Sequence, residues 1–390
     1  MRHVWKRLGR VGLALVLAVI AVGLWKREEI TRLLAVRSLF AEERIIGNFS
    51  NMDRAFLTRA ISRGDGPVSP LPTGDPVTLP ETTDRWMRER AVTSLLVLDG
   101  GAIVHESYHL GTSRNDRRIG WSIAKSFLSA LFGIVMADGA IASLDDPVTK
   151  YAPELTGSAY DGATIRNVLQ MASGVTFDED YLDYNSDINK MGRILALGGS
   201  MDGFAAGLRD RSAPPGETWK YVSIDTHVIA MVIRGATGRD LPDLLAEKII
   251  APLGLESQSF YLTDGRGVAF ALGGINMTTR DYGRFGQMIA QGGHWQGRQI
   301  VPGDWIAAST IASAPTEPGQ LGYGYQWWIP KGAGDGVFMA RGIYGQYIYI
   351  DQPRDVVIVV TAADRQFREP GVNDQNVAMF HAIAQAVQAD

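Results

Sequence analysis

The chain has 390 residues, 46% of them hydrophobic and 21% charged, the balance of an ordinary globular protein long enough to bury a large core. A net charge of −4 and a pI near 5.9 argue against nucleic acid as the main partner. There is no cysteine, which excludes disulfides, thiolate zinc sites and cysteine nucleophiles.

The N-terminus carries Arg2, Lys6, Arg7 and Arg10, then the uncharged apolar run Val11–Trp25. A positive segment followed by a hydrophobic one is the layout of an export signal. As a helix the run spans only about 22 Å, against a hydrocarbon core of about 30 Å. No clean small-residue cleavage site ends it, and "KREE" follows directly. An uncleaved N-terminal membrane helix over residues 1–25 is therefore favoured over a cleaved signal, with everything after Trp25 on the extracytoplasmic, periplasmic side. Residues 26–83 read as a mixed-charge helical stem followed by an extended linker, "GDGPVSPLPTGDPVTLPETT" (64–83), rich in Pro and Gly. The globular part is expected over 84–390.

Two β-rich runs around Asp99-Gly100-Gly101 predict a hairpin over 93–111. The hairpin bears on "HESYH" (105–109), which has the H-E-x-x-H form of zinc peptidases. That motif works on a helix, where the two histidines stand one turn apart. On a strand His105 and His109 lie roughly 13 Å apart at ~3.3 Å per residue, too far for Zn–N bonds of about 2.0–2.1 Å. No metal or other cofactor is expected.

Next comes an amphipathic helix beginning near Ile123 and stopped by Gly139, with further helices expected at about 163–171, 224–237, 242–252, 279–291, 303–312 and 372–388. Strands return at 337–351 and 356–364. Strands at both ends with helices between them predict an α/β unit closed by distant segments, plus a helical subdomain. The loop "FDEDYLDYNSD" (177–187) is acidic, but an EF-hand would need a glycine at its sixth position, where Asp183 stands, and Leu182 occupies its fifth. "YGYQWW" (323–328) reads as core ahead of pocket wall.

Ser122-Ile123-Ala124-Lys125 is S-x-x-K at the start of the first long helix. A spacing of three puts both side chains on one face, where a lysine of lowered pKa can deprotonate a serine. The unpaired amides of a helix N-terminus can hold an oxyanion. Alone, the motif is also what a capping serine and an exposed lysine look like. Tyr221-Val222-Ser223 follows "GETWK", and Arg341-Gly342-Ile343 lies on a C-terminal strand.

With these motifs in this order the chain resembles the serine β-lactamase and penicillin-binding superfamily. "WSIAKS", "DDPVTKYAPELTGSAYDGATIRNVLQM", "YVSIDT" and "GIYGQYIYID" look most like its 6-aminohexanoate-dimer hydrolase and esterase branch, close to class C enzymes. The resemblance implies a β-lactamase/transpeptidase-like fold, with an antiparallel sheet built from N- and C-terminal segments. It implies Ser122 as nucleophile, Lys125 as its base and Tyr221 as proton shuttle. The amides of Ser122 and Ile343 would form the oxyanion hole, and Ser223 would support Lys125. Tyr181, Ser223, Gly342 and Ile343 would contact substrate, with Tyr181 on a loop over the site. No separate water-activating glutamate is required. Arg341-Gly342-Ile343 replaces the Lys-Thr-Gly of β-lactamases, so the cation that grips a carboxylate there would have to be Arg341. The acidic residue that pairs with a free amine in the nylon-oligomer branch falls near Gly192, which has no charge.

The expected activity is that of an exported serine hydrolase on small ester or amide substrates, esterase-like on short acyl groups. A D-alanyl peptidase or weak β-lactamase is the alternative among enzymes, and a catalytically silent binding protein the alternative of another class.

Overall fold

The computed structural model describes residues 2–181 and 183–388, without the side chains of residues 2–6 and 9. The expectations that touch Leu182, Arg2 or Lys6 fall outside this description.

Two helices open the chain, α1 (Arg2–Trp25) and α2 (Arg27–Arg37). The apolar side chains of α1 from Val11 onward face solvent, among them Leu13, Val19, Leu24 and Trp25. No helix among the described residues is long and apolar enough to cross a membrane.

The strands of the two larger sheets, in chain order, are β1 (Leu57–Ile61), β2 (Val92–Asp99), β3 (Ala102–Tyr108), β4 (Arg118–Ile119), β5 (Ser259–Thr263), β6 (Ile275–Met277), β7 (Gly322–Tyr323), β8 (Trp328–Ile329), β9 (Val337–Gly342), β10 (Gln346–Asp351) and β11 (Val356–Ala362). The larger sheet has the order β3-β2-β11-β10-β9-β8-β7, antiparallel throughout, so the β2–β3 hairpin joins the end of a block of five C-terminal strands through β11. Gly100 and Gly101 at positive φ close the β2–β3 hairpin. His105 lies within β3, as the hairpin requires, and Glu106 on the opposite face is held by Arg280 and by the Tyr108 hydroxyl at 2.7 Å.

Side chains of the sheet alternate between two cores. Leu96, Leu98, Ile348 and Val357 join the main core, while Leu95, Val97, Tyr349 and Ile358 pack with Phe380 and Ile383 on the other face. The main-core face is covered by the helix α3 (Ile123–Ala137) and, later in the chain, by the helix Thr279–Ala290. Gly286 lets that later helix lie flat on the sheet, since a Cβ there would come within 2.7 Å of Ile348 and Val357. Phe285 from the same helix stacks on Phe127 of α3 at 3.6 Å.

Two expectations are corrected. The globular unit does not begin near Asp84: β1 pairs with β5, and Leu39, Ile45, Phe49, Met52, Phe56 and Ile61 are buried in the main core. The Pro- and Gly-rich stretch that follows is extended, as expected, up to the helix Thr83–Glu89, and its residues 72–77 run along the outer edge of β3 through bonds such as Gly74 N–H to Ile103 O. The run 337–351 is not one strand but a hairpin, β9 and β10, turning through Ile343-Tyr344-Gly345.

Candidate active site

Ser122 caps the start of α3, reached through Trp121, whose φ of +47° lies in the left-handed region. A non-glycine residue held there is stored strain, of the kind found where a chain must aim one side chain. The turn is braced by Gly120 N–H to Ile275 O at 2.9 Å, and α3 is buried along almost its whole length.

Lys125, one turn below Ser122, is 1% exposed and donates to Leu272 O at 3.1 Å. Burial pushes its amine down to about 7, against the opposing pull of Glu179 and Asp225. Its Nζ lies 5.4 Å from the centre of the Tyr221 ring. Asp225 is buried behind it and accepts from Tyr160 at 2.7 Å and Ser173 at 2.8 Å, and burial raises it to about 7.

Tyr221 precedes a long helix, α5 (Ser223–Thr237), where the short α4 (Asp187–Ala196) lies between it and α3 in the chain. Its ring stacks on Trp328 at 5.1 Å. Burial and then the Glu179 charge hold its phenol above the usual range, while Ser122, by hydrogen bonding, pulls it down.

The end of β9 closes the site from the other side. A Cβ on Gly342 would stand 2.4 Å from Gly120 O and 3.2 Å from Ser122 N, so only glycine lets this strand lie against the nucleophile turn. Ile343 follows Gly342 in the chain, and no hydrogen bond from its amide or from that of Ser122 is found among the described residues.

Two cavities meet at Ser122. The outer one, about 370 Å³, is walled by Glu179, Tyr221, Trp328, Arg341 and Gly342. The inner one, about 760 Å³, reaches to Ser223, Gly192 and α2. Ser122, Tyr181 and Ile343 line both. All the residues singled out from sequence thus converge on one cleft, with Lys125 beneath it.

Glu179 was not anticipated. It accepts the Ser223 N–H and the Tyr181 hydroxyl, the latter at 2.9 Å, and so ties the acidic loop to α5. Its only sequence signal is its position two before Tyr181, among four other acids. The "YGYQWW" segment splits: Tyr323 and Trp327 are core, whereas Trp328 is a wall of the outer cavity, with the Arg341 guanidinium 5.3 Å over its ring. Arg341 has no carboxylate partner among the described residues.

The family model described as Beta-lactamase matches residues 81–381. The chain is 31% identical over 331 residues to the 6-aminohexanoate-dimer hydrolase of Paenarthrobacter ureafaciens, covering 80% of this chain and 83% of that protein. Among solved structures it is similar to one from Bacillus anthracis assigned as a 6-aminohexanoate-dimer hydrolase, with a TM-score of 0.78 at 23% identity over 90% of this chain and 96% of that one. It is also similar to EstCE1, a hydrolase with promiscuous acyltransferase activity, with a TM-score of 0.62 at 15% identity over 78% and 96%. At these identities the structural likenesses speak for the fold.

Proposed function

The chain belongs to the beta-lactamase family of serine hydrolases, and from that premise we propose that it cleaves ester or amide bonds through an acyl-enzyme on Ser122. The observation that carries this reading is the buried Lys125 amine, lowered to about 7, one turn below Ser122. Neutral Lys125 takes the Ser122 proton, Ser122 Oγ bonds to the acyl carbon, and the bond to the leaving group breaks. Tyr221, whose phenol is kept protonated, passes the proton to the departing oxygen or nitrogen. The negative oxygen formed on the way is held by the free amides of Ser122 and Ile343. Water then attacks the acyl carbon, regenerating Ser122 and releasing the acid.

Tyr181 and Ile343 line the inner cavity beside Ser122, and the missing charge at Gly192 removes the contact that a terminal ammonium would need. p-Nitrophenyl acetate and butyrate are expected to be cleaved well, the 6-aminohexanoate dimer and penicillins poorly. Arg341 at the outer cavity, which has no carboxylate partner among the described residues, favours one second reading, a peptidase or weak β-lactamase acting on substrates with a carboxylate.

Labelling with a fluorophosphonate followed by peptide mass spectrometry tests the nucleophile. The adduct is expected on the "WSIAK" peptide and should vanish in Ser122→Ala; persistent labelling would sink the assignment. Lys125→Ala and Tyr221→Phe should each lose most of the rate, and together hardly more, because the groups act as one unit.

Export with membrane attachment through α1 belongs to the same proposal. Its support is the basic pair Arg7 and Arg10 in the first half of α1, followed in the same helix by apolar side chains that are exposed. Full-length protein should fractionate with membranes and a chain lacking residues 1–25 should not; full-length protein in the soluble cytosol contradicts this.

A further inference from the structure

The inner cavity is far larger than a short acyl group requires. At about 760 Å³ it has room for a drug-sized ligand, and its walls are Leu33, Val36, Phe40, Met191, Leu195 and Leu272. Among the described residues its charged lining groups are the cations Arg37 and Arg193, and Arg193 already donates to Tyr184 O at 2.7 Å. No carboxylate among the described residues lines it, so an acyl chain ending in an ammonium finds no partner in that lining. The outer cavity has the opposite character, with Glu179, Arg341, Arg368 and Glu369 around its mouth.

Which half of a substrate enters which cavity follows from Tyr221. The group that protonates the leaving atom lines the outer cavity and not the inner one. The leaving group therefore departs into the polar mouth, and the acyl group lies in the apolar chamber. We propose that the inner cavity is an acyl site for a medium-to-long unbranched aliphatic chain, so that the preferred substrates are amphiphiles with a fatty acyl group on a polar alcohol or amine. This rests on the Ser122 hydrolase reading. The chemistry balances as in that reading: the fatty acyl carbon bonds to Ser122 Oγ, the polar group leaves with the proton, and water releases the fatty acid. One wall of the chamber comes from α2, directly after the exposed apolar helix α1.

The test is kcat/KM for p-nitrophenyl acetate, butyrate, octanoate and decanoate, each kept below its micelle concentration. Burying methylenes should raise kcat/KM at least about tenfold from butyrate to decanoate. Gly192→Phe probes the chamber directly, because a Cβ on Gly192 meets nothing within 4 Å and a larger group would project into open space. It should cut the decanoate-to-acetate ratio at least about tenfold. A second measurement that needs no variant is the rate at which alkyl fluorophosphonates of increasing chain length label Ser122, which should climb in the same way. Short esters cleaved well with flat or falling chain-length dependence overturn the acyl-chain proposal and leave the hydrolase reading standing. If no ester is cleaved and Ser122 is not labelled, the hydrolase reading fails and the acyl site falls with it.

Discussion

At Lys125 the amine sits at about 7 because its burial outweighs the nearby carboxylates Glu179 and Asp225, which pull it upward. Only the neutral amine can take the Ser122 proton, so kcat/KM on an uncharged ester should rise with pH around a midpoint near 7 and level off above it. Removing a negative charge that favours the ammonium lowers the lysine pKa, so Glu179→Gln should move that midpoint to lower pH. The amide oxygen of the glutamine can still accept the Ser223 N–H, which keeps the loop attached to α5. A profile with no ionisation between about pH 6 and 8, or a midpoint that moves upward in Glu179→Gln, contradicts the assignment of the base. Ser122, Lys125 and Tyr221 were legible in the sequence because their spacing and order carry chemistry. Glu179 was not, because five acids within eleven residues look alike until the fold decides which one turns inward. Asp225 was hidden for a similar reason: a single acid in a helix gives no sign that Tyr160 and Ser173 will close around it.

Among the elements, β9 has the narrowest tolerance. Its last residue, Gly342, stands so close to the Ser122 turn that a methyl group would overlap Gly120 O at 2.4 Å. Since both contacts are main chain, neither side can yield by a rotamer change. Gly342→Ala should therefore push β9 away from Ser122 and spoil the pair of amides aimed at the oxyanion. Losing one such donor costs about 10²–10³ in kcat, and a loss of that order is expected, with a smaller change in KM. Gly334→Ala, in the loop before β9 with nothing within 4 Å of its Cβ, is the control that should keep wild-type kcat. A Gly342→Ala enzyme with wild-type kcat means the close approach has no part in catalysis. Strands and long helices of this layer were legible from periodicity. The bend at 343–345 was not, because Ile343 and Tyr344 are strong strand formers, and Tyr344 adopts a φ of +59° only under tertiary constraint. Short strands such as β4 and β6 were missed as well, being too brief for a period to register.

For the whole molecule, the sequence made the sheet from both chain ends legible, but it drew the boundary of the folded unit in the wrong place. Residues 39–61 have apolar residues scattered among charges, and that pattern reads as a stem until β1 is seen pairing with β5 about two hundred residues away. No local signal encodes so distant a partner. The consequence can be weighed. Burying a large apolar side chain stabilises by about 1.5–3 kcal/mol, and Leu39, Ile45, Phe49, Met52, Phe56 and Ile61 are all nearly inaccessible. Together they contribute roughly 9–18 kcal/mol, comparable to the 5–15 kcal/mol that holds a typical domain folded. Their removal would also strip Arg118, which is 1% exposed, of its bonds to Ile46 O at 2.6 Å and Ser50 at 3.0 Å, and leave the β5 edge open. A chain starting at residue 26 keeps every one of these contacts and should be folded, with a cooperative melt and short-ester activity like that of the full protein. A chain starting at residue 84, the boundary expected from sequence, should be insoluble or melt without cooperativity, and inactive. If the shorter chain melts as sharply as the longer one and hydrolyses p-nitrophenyl butyrate at the same rate, residues 39–61 are an appendage and not part of the core.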